Sequence, residues 1–342
     1  MIVVAGEALV DLIPDSTGQL GIHPGGGPFN TARWLGRLGA DVAFLGAIAA
    51  DPLGQRLRAQ LVEAGVSLDL VVATNRPTTL ALAQLDAAGV ARYSFYTSDT
   101  SIPQLWPEQV EELLPEDLDA LYLGSIGLML EPAASAVTHA VRLARRRGAR
   151  IVVDPNIRPT LILDRAVYLR RLEAVLAEAD VLKLSVEDLA WLTPGEPPLA
   201  AARRFLDDGP RAVLLTMGAD GATVLTPRDA IPVPAVPSQV VDTIGAGDAF
   251  SAGFLARLWG SAAATDRRWG RNASLRRISP PAPAGGERDR GGAGGAGGAG
   301  GAELTDAAIR DAAGFAARVA AVACSVRGAT PPADIAHLLP ES

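Results

Sequence analysis

The chain carries one cysteine, Cys324, and three scattered histidines, His23, His139 and His337. A single thiol excludes a disulfide framework within the chain and agrees with a reducing compartment. So few soft ligands leave no His/Cys metal centre to build. No apolar run is long enough to span a membrane, and Glu7 and Asp11 interrupt the apolar start. Neither a secretory leader nor a membrane anchor is expected, and cytoplasm is the expected compartment. Positive charge is scarce as well. With 31 basic against 38 acidic residues the formal charge is −7, which argues against nucleic acid as the main partner. Lysine is nearly absent: 30 of the 31 basic residues are arginine, and Lys183 stands alone. Either a compact, flexible point charge is needed there or one lysine has survived by chance.

What is present is ample apolar material, 49% of 342 residues with 20% charged, enough for a sizeable core. Short apolar runs predict strands at 2–5, 42–48, 120–124, 151–154, 181–184, 212–216 and 222–225. Amphipathic stretches between them predict helices at 28–38, 52–64, 132–147, 165–178 and 199–207, with prolines at their starts and Gly39, Gly65 and Gly148 after their ends. This alternation implies a largely parallel sheet covered by helices on both faces. Two segments, about 8–24 and 76–97, read instead as hairpins, 8–13 with 19–22 and 78–85 with 91–96, and suggest a small sheet projecting as a lid. Residues 260–302 are rich in glycine, alanine and arginine and have almost nothing apolar to offset the cost of ordering, about 1–2 kcal/mol per residue. They read as a flexible insertion. Helix signals resume at Thr305, with Ile309, Ala313, Ala316 and Ala320 on one face.

The most informative segment is Val240-Val241-Asp242-Thr243-Ile244-Gly245-Ala246-Gly247-Asp248-Ala249-Phe250. A β-branched run feeds a glycine-spaced turn. From Ala249 the pattern turns helical, with Phe250, Phe254, Leu255 and Leu258 on one face. The N–H groups of a Gly-X-Gly turn and the positive end of a helix make a seat for an anion such as phosphate. A carboxylate in that seat repels the anion, which makes sense if Asp248 handles a proton while a phosphoryl group passes beside it.

Other clusters surround this seat in the sequence. His23-Pro24-Gly25-Gly26-Gly27-Pro28-Phe29-Asn30 leads into a helix; its glycines let backbone approach a ligand, and Asn30 offers both a donor and an acceptor. With Asp11 in the first hairpin it suits a neutral polyol, although taken alone it is equally a tight strand-to-helix turn. Thr216-Met217-Gly218-Ala219-Asp220-Gly221 follows a strand and permits a tight turn against a flat or phosphate-bearing ligand. Asp154-Pro155-Asn156-Ile157-Arg158 and Lys183-Leu184-Ser185-Val186-Glu187-Asp188 also end strands, and parallel sheets bind ligands beyond strand carboxyl ends. The carboxylates of the latter are suited to holding Mg²⁺ through water or, equally, to capping the next helix.

In this order the clusters resemble the ribokinase-like (PfkB-type) carbohydrate kinases, along the chain apart from 260–302. Two signatures carry the resemblance: Gly25-Gly26-Gly27-Pro28-Phe29-Asn30-Thr31-Ala32, followed by Gly46, Asp51 and Gly54, and Asp242-Thr243-Ile244-Gly245-Ala246-Gly247-Asp248. Cys324-Ser325-Val326-Arg327-Gly328-Ala329 is similar to the family's late turn beside the adenine. The resemblance implies one ribokinase-like domain over 1–342: an α/β fold whose open, mostly parallel sheet is flanked by helices, with a projecting β-sheet lid. It implies phosphoryl transfer from ATP to a sugar hydroxyl. Asp248 would be the catalytic base, and Gly245, Ala246 and Gly247 the anion hole. Asp11, Gly26, Gly27 and Asn30 would bind the sugar, and Arg92 and Arg158 a phosphate, sugar or sugar-acid group. Thr216, Gly218 and Gly221 would line the nucleotide site, with Lys183 and Ser185 near the phosphates. Mg²⁺ would accompany ATP, and a monovalent cation, potassium, would sit near Asp242.

One departure stands out. Where many relatives carry Asn-x-x-Glu, this chain has Ser185-x-x-Asp188, and the shorter carboxylate leaves the metal geometry open. Serine there, after a Lys-Leu pair, is similar to fructokinase-like members. The uncharged Gly27-Pro28-Phe29 and the stretches Thr78-Thr79-Leu80-Ala81-Leu82 and Arg92-Tyr93-Ser94-Phe95-Tyr96 point the same way. Fructose is the first expectation, 2-keto-3-deoxygluconate the second and ribose the third. A non-catalytic sensor built on a dead kinase is the rival of another class, opposed by the intact Asp248. A dinucleotide-dependent dehydrogenase fails because Phe250 stands where a third glycine is required. Relatives dimerise through the lid, so a homodimer is expected.

Overall fold

The computed structural model describes residues 1–15, 17–85, 91–260 and 304–338. The insertion expected at 260–302 lies outside the described residues, Gly260 excepted. In chain order the strands of the large sheet are β1 (Ile2–Ala5), β4 (Val42–Ala49), β5 (Val71–Thr74), β8 (Ala120–Gly124), β9 (Arg150–Asp154), β10 (Val181–Ser185), β11 (Ala212–Thr216), β12 (Ala222–Leu225) and β13 (Ala230–Val233). The helices are α1 (Gly27–Arg37), α2 (Pro52–Glu63), α3 (Pro107–Leu113), α4 (Ala133–Arg146), α5 (Arg165–Leu176), α6 (Val186–Leu192), α7 (Pro198–Arg204), α8 (Ala246–Trp259) and α9 (Asp306–Cys324). A second sheet holds β2 (Leu9–Pro14), β3 (Leu20–Gly25), β6 (Leu80–Leu85) and β7 (Ala91–Tyr96).

The large sheet runs β13-β12-β11-β10-β9-β8-β1-β4-β5. Strands β1, β4, β5 and β8 to β11 are parallel, whereas β12 and β13 close one edge antiparallel, so the sheet is mostly parallel as expected. Alternation explains its burial. Ile2 and Val4 of β1 face one core and Val3 and Ala5 face the other. The first core holds Phe29 and Trp34 of α1, Leu57 and Leu61 of α2, Phe254 of α8 and Phe315 of α9. The second holds Val110 of α3, Val137 of α4, Leu172 of α5, Leu189 of α6 and Ala201 of α7. Burying each of the larger apolar side chains contributes roughly 1.5–3 kcal/mol. No helix among the described residues is long and apolar enough to cross a membrane.

Most expected strands and helices begin and end within two residues of their sequence limits. The exceptions are 19–22, where β3 runs on to Gly25, and 199–207, where α7 stops at Arg204 and tightens into a 3₁₀ turn, Phe205–Asp208. The unforeseen elements β5, β13, α3 and α6 are four to seven residues long, too short for a periodic signal. Both hairpins form, and the parallel pairing of β2 with β6 joins them in the order β3-β2-β6-β7.

Candidate active site

From β1 the chain steps outward to β4 and β5, then returns to lay β8 to β11 on the other side. The carboxyl ends of β1 and β8 therefore flank a topological switch point, where open parallel sheets leave a crevice. A cavity of ≈890 Å³ lies there, lined by residues following each of β1, β8, β9, β10 and β11. The small sheet covers one end, with Leu9, Asp11, Tyr93 and Phe95 in the cavity wall. The other end is apolar: Val236, Val240, Ala317, Ala320 and Cys324.

Asp248 sits in the first turn of α8, buried, on the wall between these ends. The chain enters α8 through Gly245 at φ +79°, and a Cβ at that position would lie 2.7 Å from the Ala329 Cβ, so glycine is required twice over. Asp242 fixes the approach: its carboxylate accepts from Ile244 N–H at 3.0 Å and from Gly328 N–H at 2.8 Å. This ties the segment before α8 to the late turn after α9. Ala246 N–H donates to Thr243 O at 3.2 Å, which leaves the Gly247 and Asp248 N–H groups as the first-turn donors without an intrahelical acceptor.

On the other side of Asp248, Asn30 in α1 donates from Nδ2 to Asp248 Oδ2 at 2.9 Å. A Cβ at Gly27 would lie 3.4 Å from Asp248 Oδ1, so this second oxygen faces the glycine turn. Gly26, at φ +109°, could carry no side chain, because its Cβ would meet the Glu7 carbonyl oxygen at 2.7 Å. Burial pushes the Asp248 carboxyl up to about 7. The Asn30 hydrogen bond and the Lys183 charge oppose this, the Asp154 charge adds to it, and the Arg158 charge again opposes it. Asp11 is raised to about 6, by burial first; Arg158 pulls it down and Glu7 pushes it up.

Arg158 turns one guanidinium nitrogen back onto its own loop, donating to Asn156 Oδ1 at 2.7 Å and Asn156 O at 2.9 Å, and still lines the cavity. Arg92 pairs through its backbone with Gln84, and its side chain lies outside the described residues. Thr216, Gly218 and Gly221 line the wall below the apolar end, with the Thr216 hydroxyl donating to Leu184 O at 3.3 Å. Lys183 is buried and pairs with Asp154 Oδ2 at 2.7 Å. Asp188 closes a capping box. Oδ2 accepts from Ser185 N–H at 2.9 Å and Ser185 Oγ–H at 2.8 Å, and Oδ1 accepts from Ile157 N–H at 2.7 Å. Of the two uses open in the sequence, capping is the one realised in these contacts.

Several cavity residues went unassigned in the sequence reading. Glu7, two residues past β1, accepts from Gly27 N–H at 3.1 Å and Gly127 N–H at 3.2 Å, clamping the glycine turn to the 3₁₀ turn Ser125–Leu128 that follows β8. Its burial raises its pKa, against opposing hydrogen bonds and the Arg158 charge. Its position at a strand's carboxyl end was the available signal. Ser125 and Asn156, at φ +54° and +38°, hold left-handed backbone without being glycine, and both line the cavity. No sequence pattern announces such strain.

Comparison with known proteins agrees with this geometry. Residues 1–266 match the pfkB family carbohydrate kinase profile. The chain is 38% identical over 263 residues to a fructokinase of Rhizobium leguminosarum bv. trifolii, covering 75% of this chain and 79% of that relative. A fructokinase from Xylella fastidiosa with bound ATP aligns with a TM-score of 0.77 at 27% identity, covering 96% of this chain and 93% of that one. A double mutant of the fructokinase from Vibrio cholerae O395, in its fructose, ADP and potassium ion bound form, aligns with a TM-score of 0.74 at 25% identity, over 96% of this chain and 93% of that one. The chain belongs to the pfkB family of carbohydrate kinases.

Proposed function

We propose that this protein is a fructokinase, moving the γ-phosphoryl group of ATP to a hydroxyl of fructose. One observation carries the reading: Asp248 stands buried in the first turn of α8, one oxygen held by Asn30 and the other facing Gly27. In the proposed reaction a sugar hydroxyl oxygen attacks the γ-phosphorus as the bond to the β-phosphate oxygen breaks, ADP leaves, and the hydroxyl proton passes to Asp248. Gly245, Ala246 and Gly247 frame the anion seat, in which the Gly247 and Asp248 N–H groups are the available donors. Thr216, Gly218 and Gly221, with Lys183 and Ser185, take the nucleotide's phosphate side. The apolar end around Val240, Ala320 and Cys324 suits a base.

The sugar end favours a neutral acceptor. Glu7, Asp11 and Asp248 line it, and burial favours the neutral form of each, which suits exchange of hydrogen bonds with hydroxyls. A sugar acid or sugar phosphate instead meets an Arg158 with one guanidinium nitrogen turned back on its own loop. Asp11, Gly26, Gly27 and Asn30 supply the polar contacts for hydroxyls, with Arg158 on the same wall; Arg92 is a further proposed sugar contact. Mg²⁺ enters as part of the ATP complex. We assign Asp188 a water-mediated contact to it through the lone pairs its protein donors leave free, with exposed Glu187 as a second carboxylate on the wall. Potassium beside Asp242 is the proposed activator. We further propose one kinase domain with a dispensable insertion at 260–302, a cytoplasmic location, and a homodimer through the lid, whose edge strands expose Leu20, Ile22 and Tyr96.

A coupled ADP-release assay over fructose, ribose and 2-keto-3-deoxygluconate, with and without potassium, tests the reading. Fructose with potassium should give the highest kcat/KM. A sugar acid as best substrate would overturn the neutral-acceptor argument, and silence across a wider sugar panel would favour the sensor.

A further inference from the structure

Asp154 ends β9 with its carboxylate 1% exposed. Its Oδ2 accepts three side-chain donors from three elements: Lys183 Nζ of β10 at 2.7 Å, the Tyr122 hydroxyl of β8 at 3.0 Å, and the Ser251 hydroxyl of α8 at 3.3 Å. Its Oδ1 is buried with no hydrogen-bond partner. A buried carboxylate with an unpartnered oxygen is an expensive way to hold strands together, and an apolar group of similar shape is often at least as stabilising. The arrangement makes sense if the charge is needed.

What it holds is the chain's sole lysine. The Lys183 ammonium lies against the first turn of α8, 3.5 Å from where a Cβ on Gly247 would stand, and it lines the cavity. Burial by itself would lower the pKa of that ammonium. The charge and hydrogen bond of Asp154 overcome this, helped by the charges of Asp188 and Asp248, and keep its pKa above the ordinary lysine value. With one N–H given to Asp154, the remaining N–H groups are free for an anion seated at Gly247.

We infer that Asp154 is a positioning residue for phosphoryl transfer: it aims the Lys183 ammonium at the seat beside Gly247, where the transferred phosphate passes. The inference rests on the kinase reading of that seat. Its consequence is that Asp154 acts on the nucleotide through Lys183 and has no separate path to it.

A double-mutant cycle tests this. Asp154→Asn, Lys183→Met, the pair together, and Ser251→Ala are compared by steady-state kinetics and by calorimetric ATP affinity without sugar. Losing one aimed, charge-assisted contact should cut kcat/KM for ATP about tenfold or more in either single variant. The KM for sugar should stay within about twofold. The double variant should be no worse than Lys183→Met, and Ser251→Ala, which removes a donor but no charge, should match wild type. Additive losses in the double variant, or an Asp154→Asn enzyme with unchanged ATP constants, would overturn the inference. A merely structural Asp154 would lower Tm and act additively. If Lys183→Met does not fold because it strands a buried carboxylate, the double variant, which strands none, should equal Asp154→Asn. Absence of turnover by the wild type would overturn the kinase reading instead, and the ATP-affinity cycle would still decide the role of Asp154.

Discussion

Replacing Asp248 with asparagine should stabilise the fold at alkaline pH. Burial lifts the Asp248 carboxyl from 3.8 to about 7. A difference of ~3 units, at ~1.36 kcal/mol per unit, sets the native-state cost of ionising it on the order of 4 kcal/mol. The direction follows from proton binding. The folded chain holds this proton more tightly than the unfolded one, so its contribution to stability is complete below the unfolded value of 3.8 and is lost as pH rises through about 7. Asparagine keeps the shape and can accept the Asn30 hydrogen bond, but never ionises. Melting curves of both proteins from pH 5 to 8.5 read the effect. At pH 5, above the unfolded value of 3.8, roughly 1.5 kcal/mol is already lost and the variant should melt about 3 °C higher; at pH 8.5 the gap should widen to roughly 5–10 °C, given ~2 °C per kcal/mol in a chain of this size. A gap independent of pH, or a less stable variant at pH 8.5, would refute the buried, proton-holding carboxylate.

Gly245→Ala should lose turnover by tenfold or more and lower Tm, because φ +79° costs an alanine ~1–2 kcal/mol and its Cβ would press on Ala329; kinetics and melting together check this. Glu7→Gln should raise the KM for sugar more than it lowers kcat, since an amide cannot accept at both ends from Gly27 and Gly127; a fall in kcat alone would contradict the clamp. Exchanging 261–303 for a short Gly/Ser linker should leave kcat and both KM values within about twofold, and a folded but inactive product would show that the segment takes part in the reaction.

Much of the architecture was legible in the sequence because its signals are local and strong. Pro52 opening α2 under an Asp51 cap, Thr305 capping α9, and apolar runs such as Ile2–Ala5 each state an element in a few residues. Elements shorter than two helical turns, such as α3 and α6, carry no period to read. Site residues were legible where glycine spacing marks a turn, as around Gly26 and Gly245. Glu7 and Asp154 carried only their strand-end positions, since their roles lie in partners 20 to 120 and 29 to 97 residues away. The sequence also left Asp188 open between capping and metal, and only its three donors from Ser185 and Ile157 show how its oxygens are used.

The most direct test of the central claim is the turnover of Asp248→Asn with ATP and fructose, set beside its affinity for each. Loss of a general base predicts a fall in kcat of about 10²–10⁴. Both dissociation constants should stay within a few-fold of wild type. A variant that keeps more than about a tenth of wild-type turnover, or that loses binding in proportion to rate, would contradict Asp248 as the point at which the proton leaves the sugar.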